Sequence, residues 1–296
     1  MISYALAACV FGYYVSDPVA AAIRKSRFRN FESYFGTCIS DDEPSRRSAE
    51  LTRQLMKEGL YRAASVHLPY RGADLCWDPS ALDEEVRKEV SARCIKLIRD
   101  HADLMGPMIT LHANASGEPP LEEHPQRIDQ VCRTIEEMLP TARELGFVIN
   151  VELLPRTCVG NTPEELMQIV SRFDPEQVGI CMDVNHVMTR YRELPAMIDY
   201  LAPRIRSFHI SDYDGIDETH WLPGQGLIDW IELMRHIRAI DHDLLLILET
   251  GGWQLKHKRR EIDPQFVIRQ NENACWFVDN CERLQPEMGS FRLPGN

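Results

Sequence analysis

The chain has 296 residues and a formal net charge of −12, with 44% hydrophobic and 26% charged residues. This length is close to one barrel domain, and the apolar content is enough to bury a sizeable core. The acidic balance argues against a surface that attracts nucleic acid, which needs clustered Lys and Arg. The basic cluster KHKRR at 256–260 is interpreted as a solvated loop or helix start.

The cysteines and the N-terminal sequence indicate the cellular compartment of the protein. Nine cysteines, an odd number without CxxC pairs, predict reduced thiols rather than a disulfide framework. The apolar start, MISYALAACVFGYY, has no basic segment before it and is interpreted as the first strand rather than a signal peptide. No stretch approaches the roughly 18 apolar residues of a membrane span. The sequence therefore predicts a soluble, cytoplasmic protein with no membrane partner.

Strands and helices are predicted to alternate along the chain. Short apolar runs rich in Val, Ile and Leu are typical of strands buried on both faces of a sheet. Such runs predict eight strands, at residues 2–10, 31–35, 63–68, 108–112, 147–153, 178–182, 204–210 and 244–248. Helices are expected after them at residues 18–25, 44–59, 81–104, 121–145, from 163 onward, 194–201, 227–240 and 264–281.

This alternation predicts the fold class. Because parallel strands need crossover helices, we expect an α/β protein, a closed (β/α)8 TIM barrel in a single domain over residues 1–284. Residues 285–296 are predicted to form an irregular C-terminal tail, and residues 254–263 an insertion or a mobile segment. Pro163 is expected at the first position of its helix, and Pro140 is expected to kink the long fourth helix.

Six of the predicted strands end on a residue type that binds metal ions. These residues are His67, His112, Glu152, Asp183, His209 and Glu249. In a (β/α)8 barrel the carboxyl ends of the strands carry the active site. One such residue alone would be interpreted as a turn or helix-capping residue. Six in series, using only His, Asp and Glu, indicate a metalloenzyme.

Four of these residues end neighbouring strands, the fifth to the eighth. Glu152, Asp183, His209 and Glu249 are therefore predicted to converge from one side of the barrel mouth as metal ligands. Three carboxylates and one imidazole form a hard, oxygen-rich site, which suits one Mn²⁺, Mg²⁺ or Co²⁺ ion and is compatible with Zn²⁺. The alternative is that each carboxylate only caps the helix that follows it.

The strand-end motifs INVELLP, MDVNH, SFHISD, PGQG and ILETGG resemble those of the xylose-isomerase-like barrel superfamily. This superfamily includes ketose 3-epimerases, hydroxypyruvate isomerase, inosose dehydratase and metal-dependent abasic-site endonucleases, and the resemblance spans essentially the whole chain. The epimerase branch implies one divalent ion on the four ligands above. It also implies that Glu152 and Glu249 are the catalytic acid and base, with a metal-bound water or a substrate hydroxyl as the alternative.

The same resemblance implies substrate contacts. His186 completes a D-x-x-H pattern, whose histidine contacts substrate in the isomerase branch and a metal in the endonuclease branch. Arg156 matches a basic residue of some epimerases, but Cys158 stands where those enzymes have a substrate-binding glutamate. We predict substrate-binding roles for the histidines and the arginine near the barrel mouth and for three tryptophans after strand ends, namely His67, His112, Arg156, His186, His220, Trp77, Trp221 and Trp253.

The resemblance leaves a rival site open. The endonuclease branch carries a histidine at the position of His220 and an aspartate at the position of Glu218. Added to the six strand-end residues and His186, these two residues nearly complete a ligand set for three zinc ions. Against that reading stand the acidic charge, the lack of basic DNA-engaging loops, and glutamate at position 218.

The leading hypothesis is a divalent-metal-dependent sugar or polyol isomerase or epimerase that moves a proton through an enediolate. A dehydratase or lyase of keto-sugars or keto-inositols shares the enolisation step and is the first alternative. A three-zinc phosphodiesterase is the second, and a sugar-binding barrel without turnover is the last. The expected partner is a small carbohydrate, and a homo-oligomer is left open.

Overall fold

A computed structural model describes residues 1–34, 42–70, 77–115, 117–251 and 263–284. Eight parallel strands form a closed barrel in chain order, and the last strand pairs with the first. The strands are β1 (Ile2–Ala7), β2 (Asn30–Tyr34), β3 (Arg62–His67), β4 (Met108–Leu111), β5 (Val148–Glu152), β6 (Val178–Asp183), β7 (Ile205–Ile210) and β8 (Leu244–Leu248). This confirms the predicted (β/α)8 TIM barrel.

Helices follow the strands and surround the barrel. Within the described ranges they are α1 (Asp17–Lys25), α2 (Glu43–Lys57), α3 (Glu84–Asp100), α4 (His124–Leu145), α5 (Pro163–Val170), α6 (Leu194–Leu201), α7 (Trp230–Ala239) and α8 (Pro264–Asn280). Side chains cap several helix starts by accepting hydrogen bonds from backbone N–H groups of the first turn. These caps are Asp42, Asp83, Thr162, Asp229 and Asp263.

Apolar side chains form two clusters. The larger cluster fills the layer between barrel and helices, and a small one contains residues of β1, β3 and β8, namely Ala5, Ala7, Ala64, Leu245 and Ile247. A separate set of side chains inside the barrel is polar. Glu32 on β2 accepts hydrogen bonds from Ser65 on β3, at 2.8 Å, and from Thr110 on β4, at 3.0 Å. The barrel interior is therefore polar beneath the mouth.

Several element boundaries differ from the prediction. β1 ends at Ala7, because the chain turns there into a 3-10 helix (Ala8–Phe11) that Gly12 ends in the left-handed conformation. α7 begins at Trp230 rather than at 227, since Asp229 caps it. α4 continues through Pro140 as one helix. The predicted tail at 285–296 and most of the predicted insertion lie outside the described residues.

Among the helices in the described ranges, none combines the length and the apolar character that crossing a bilayer requires. The seven cysteines in those ranges are free thiols.

Candidate metal centre and active site

The predicted ligand residues meet at one end of the barrel. His67, Glu152 and Asp183 are the last residues of β3, β5 and β6, and His209 is the penultimate residue of β7. His112 and Glu249 directly follow β4 and β8. Because all strands are parallel, their carboxyl ends share one mouth.

Three carboxylates surround the His209 ring. Its Nδ1 atom lies 3.0 Å from Glu152 Oε1, 3.0 Å from Glu249 Oε2 and 3.8 Å from Asp183 Oδ2. One ring nitrogen carries at most one hydrogen, so it can donate to only one of these oxygens. Asp183 Oδ2 and Glu249 Oε2 are buried without a hydrogen-bond partner. A divalent cation between these atoms would offset most of the negative charge and satisfy both oxygens.

A second donor group shares Glu152. Nδ1 of His67 lies 2.8 Å from the carbonyl oxygen of Leu68, which can only accept, so Nδ1 carries the proton. Nε2 of His67 and Nε2 of His112 each lie 3.0 Å from Glu152 Oε2. A neutral His67 would direct its Nε2 lone pair at the carboxylate, which is favourable only with a proton or a metal ion between them.

A third donor group shares Asp183. Its other members are His186 and His220, whose rings are perpendicular with centroids 5.5 Å apart. Nδ1 of His186 lies 2.8 Å from the carbonyl oxygen of Leu153, and Nδ1 of His220 lies 3.1 Å from that of Glu249. These contacts to backbone acceptors leave both Nε2 atoms as lone-pair donors.

The buried groups shift one another's proton affinities. Burial raises the pKa of a carboxyl group, but His209 and His112 hold the pKa of Glu152 well below its usual range. Burial also opposes ionisation of Glu249, whose pKa His209 nevertheless lowers. Burial disfavours protonation of His209, yet Cys181 and the surrounding glutamates raise its pKa well above the usual range. Glu152 and Glu249 are therefore carboxylates at neutral pH.

These observations fit a divalent metal site. Glu152, Asp183, His209 and Glu249 present ligand atoms that all lie within 4.8 Å of one another. Their oxygen-rich chemistry suits a hard or borderline cation, and two of the oxygens are buried without a partner. The two histidine-rich groups offer further donors on either side.

A polar cavity of about 500 Å³ opens above these groups, within the usual size range of ligand pockets. Seven of the predicted site residues line it, namely His67, His112, Glu152, Arg156, His186, His220 and Glu249. Asp183 and His209 are fully buried. Among the described residues that line the cavity, Arg156 is the only Arg or Lys, against four glutamates.

Two of the three predicted tryptophans, Trp77 and Trp221, do not line this cavity. Trp77 is buried and is not among the residues that line this cavity. Trp221 is half-buried and lines a neighbouring cavity between the β7–α7 loop and α8. Trp253 lies outside the described residues.

A family model described as xylose isomerase-like TIM barrel matches residues 21–266. The chain belongs to this family. Among curated proteins, an uncharacterized protein of Methanocaldococcus jannaschii is 24% identical over 88% of this chain and 89% of its own length. A probable endonuclease 4 of Sulfurihydrogenibium sp. is 24% identical over 62% and 70%, and the fructoselysine 3-epimerase of Escherichia coli O157:H7 is 27% identical over 52% and 56%.

Solved structures of lower sequence identity share the fold. A D-psicose 3-epimerase from Clostridium cellulolyticum H10, solved with D-tagatose, has a TM-score of 0.70 and 15% identity, covering 93% of this chain and 98% of its own. The IOLI protein, solved with a bound zinc atom, has a TM-score of 0.72 and 14% identity, covering 94% and 98%.

The loop between β7 and α7 carries two of the residues that line the cavity, Glu218 and His220, and is organised by Asp212. This buried carboxylate accepts hydrogen bonds from four donors along the loop, namely the backbone N–H groups of Tyr213, Gly224 and Ile228 and the indole N–H of Trp230. A Cβ at Gly226 would lie 2.5 Å from Asp212 Oδ1, so glycine is required at that position. The PGQG motif is thus a structural anchor of the loop.

Glu32 is a site residue that the sequence reasoning missed. It is 2% exposed, and its Oε2 atom lies 3.0 Å from Nε2 of His209, on the side of the ring opposite the ligand carboxylates. Nε2 makes no hydrogen bond in the structure. A carboxylate this close still favours a proton on Nε2, which leaves the lone pair of Nδ1 for a metal ion. The signal in the sequence was a glutamate inside the strand segment NFESY.

Glu32→Gln is expected to weaken binding of Mn²⁺ or Zn²⁺ by about 10–100-fold, because the neutral amide no longer fixes the protonation of His209. Isothermal titration calorimetry on metal-depleted protein measures the dissociation constant. Ser65→Ala is the matched control, since it removes a hydrogen bond to Glu32 but leaves the carboxylate beside His209. Equal affinities in the wild type and Glu32→Gln would contradict the role of Glu32.

Proposed function

We propose that this chain is a divalent-metal-dependent sugar or polyol isomerase or epimerase that works by proton transfer through an enediolate. One observation carries the proposal: the buried carboxylate of Glu152 and the partly buried carboxylate of Glu249 flank one imidazole nitrogen beneath a polar cavity. The epimerases among the relatives support this choice of reaction class. We propose a small carbohydrate as the substrate.

Moving a proton beside a carbonyl needs a base that takes it and an acid that returns it. Glu249 is the more accessible carboxylate, with 23% of its side chain exposed against 1% for Glu152. Glu249 is therefore better placed to reach a substrate, and we propose it as the base. Glu152 holds its geometry through contacts with His67, His112 and His209, and serves as the second proton-transfer group.

We propose that the other residues lining the cavity bind and orient the substrate. A divalent ion held by Glu152, Asp183, His209 and Glu249 would supply electrophilic stabilisation of the developing oxyanion. His186 and His220 present ring nitrogens to the cavity, where they can hydrogen-bond to sugar hydroxyls. The free thiols of the described cysteines support our proposal of a cytoplasmic enzyme.

A metal-dependent phosphodiesterase is the second candidate. The observation that favours it is the pair of extra donor groups, His67 with His112 and His186 with His220, on either side of the central group. Clustered cations can activate water and stabilise phosphate oxygens. The relative described as a probable endonuclease 4 also supports it. The four cavity glutamates oppose an anionic substrate unless several cations are bound.

The test combines a metal measurement with a substrate screen. Elemental analysis of the purified protein gives the identity and number of bound ions per chain. The metal-loaded protein is then incubated with ketoses, keto-inositols and abasic-site DNA, and products are analysed by mass spectrometry. Isomerisation conserves mass, and dehydration loses one water. Cleavage of abasic-site DNA without change in any sugar would overturn the proposal in favour of the second candidate.

A further inference from the structure

Arg156 joins the β5–α5 loop to the β7–α7 loop at the cavity. Its guanidinium lies 2.7 Å from Asp217 Oδ1 and 2.9 Å from Glu218 Oε1, and one-third of the side chain is exposed. The backbone of Arg156 has φ of 55°, in the left-handed region that non-glycine residues rarely adopt. Surrounding contacts must hold such a residue in place, so the position of Arg156 is specified by the fold.

Glu218 stands between Arg156 and the third donor group. Its Oε1 atom faces the guanidinium, whereas Oε2 is buried without a hydrogen-bond partner and lies 3.8 Å from Nε2 of His186. His186 belongs with Asp183 and His220 to that donor group. The same carboxylate can therefore complete the ligand set of a cation there or neutralise Arg156.

These two uses of Glu218 oppose each other. A cation in the third donor group would lie near the guanidinium, because both would contact one carboxylate. Like charges this close repel, and the partly buried rim screens them less than bulk water does. The guanidinium also draws negative charge from Glu218, which makes its free oxygen a weaker donor. Both effects lower the affinity of this group for a metal ion.

We propose that Arg156 acts as a built-in cation that pairs with Glu218 and keeps the third donor group free of metal. The side chains of the third group then remain available to hydrogen-bond to a neutral polyhydroxy substrate. This inference deepens the proposed function, since it explains how an isomerase site can retain donors that would otherwise bind a further ion. The positive charge of Arg156 is balanced by the two carboxylates that it contacts.

The experiment counts ions in the full-length protein. Metal-depleted wild type and Arg156→Gln are dialysed against graded Zn²⁺, and bound zinc per chain is measured by elemental analysis. Calorimetry gives the affinity of each step. We expect Arg156→Gln to bind one more zinc per chain than the wild type, or to bind its weakest zinc about tenfold more tightly.

Two further variants identify the cause. Adding Glu218→Gln to Arg156→Gln should remove the extra zinc, because the carboxylate released by Arg156 is then absent. Arg206→Gln removes the same charge from a residue paired with Glu176 at the other end of β7, and should bind zinc as the wild type does. Arg156→Met, which keeps the aliphatic stem, repeats the test if Arg156→Gln folds poorly.

The inference fails if wild type and both Arg156 variants bind the same number of zinc ions with the same affinities. It also fails if the Arg156 variants lose zinc. The readout is independent of turnover. The expected zinc counts together with an absence of isomerase activity would support the role of Arg156. The same result would contradict the proposed function.

Discussion

Glu249→Gln is expected to lower turnover about 10²–10⁴-fold, because an amide cannot accept the proton that the carboxylate takes from the substrate carbon. Glu152→Gln should lose at least as much, since Glu152 also contacts His67, His112 and His209. Turnover is measured on the substrate found in the screen. NMR in deuterium oxide follows exchange of the carbon-bound hydrogen, which should be lost in both variants.

Glu118→Gln is the matched control for this experiment. Glu118 lines the same cavity, but its carboxylate accepts a hydrogen bond from Thr157 at 2.9 Å instead of facing the central group. This variant should retain most of the turnover and the hydrogen exchange. If Glu152→Gln and Glu249→Gln both exchanged hydrogen at the wild-type rate, proton transfer by this pair would be wrong.

The fold could be predicted because its signals are local. Most strands are short apolar runs, and each predicted ligand directly marks a strand end, so the alternation and the barrel follow from neighbouring residues. β2, with the sequence NFESY, is the exception. Boundaries were less well predicted where a tertiary or capping contact decides them. Val10 is apolar and was assigned to the first strand, yet it lies in the 3-10 helix that turns the chain toward α1.

The candidate site was predictable only in part, because contacts between residues far apart in sequence leave no local signal. The clustering of His67, His112 and Glu152 follows from strand ends meeting at one mouth, and the structure brings them together. The ion pair between Arg156 and Glu218 joins residues far apart in sequence and has no local signal. A loop tryptophan such as Trp77 can turn inward or outward without changing the sequence pattern, and here it is buried.

Glu32 shows a related limit. A glutamate in a predicted strand is compatible with an exposed edge, and only barrel closure places it beside Ser65, Thr110 and His209. Once the barrel is known to close, Glu32 is buried and needs polar partners. One of the residues beside it is His209, a proposed metal ligand. The outer residues of the candidate site therefore follow from the fold, whereas the proposed ligands could be named from the sequence.

Asp212→Ala is expected to destabilise the protein by about 3 kcal/mol or more and to loosen the β7–α7 loop. The substitution removes the acceptor of four hydrogen bonds, including those from Gly224 and Trp230 at 2.8 Å, and leaves buried N–H groups unsatisfied. The free energy of unfolding is measured by urea denaturation. Because the loop carries Glu218 and His220, binding of a sugar in the cavity should weaken as well.

Asp214→Ala is the matched control in the same loop. Asp214 accepts hydrogen bonds only from the backbone N–H groups of Ile216 and Asp217 in the described structure, and it is more exposed to solvent than Asp212. Its loss should cost about 1 kcal/mol or less, since water can replace the aspartate. An Asp212→Ala protein as stable as Asp214→Ala would show that the loop holds its shape without the buried carboxylate. The strand end and the PGQG motif would then be independent features, and the contacts of His220 with Ser211, Glu249 and Gly251 would suffice to hold its position.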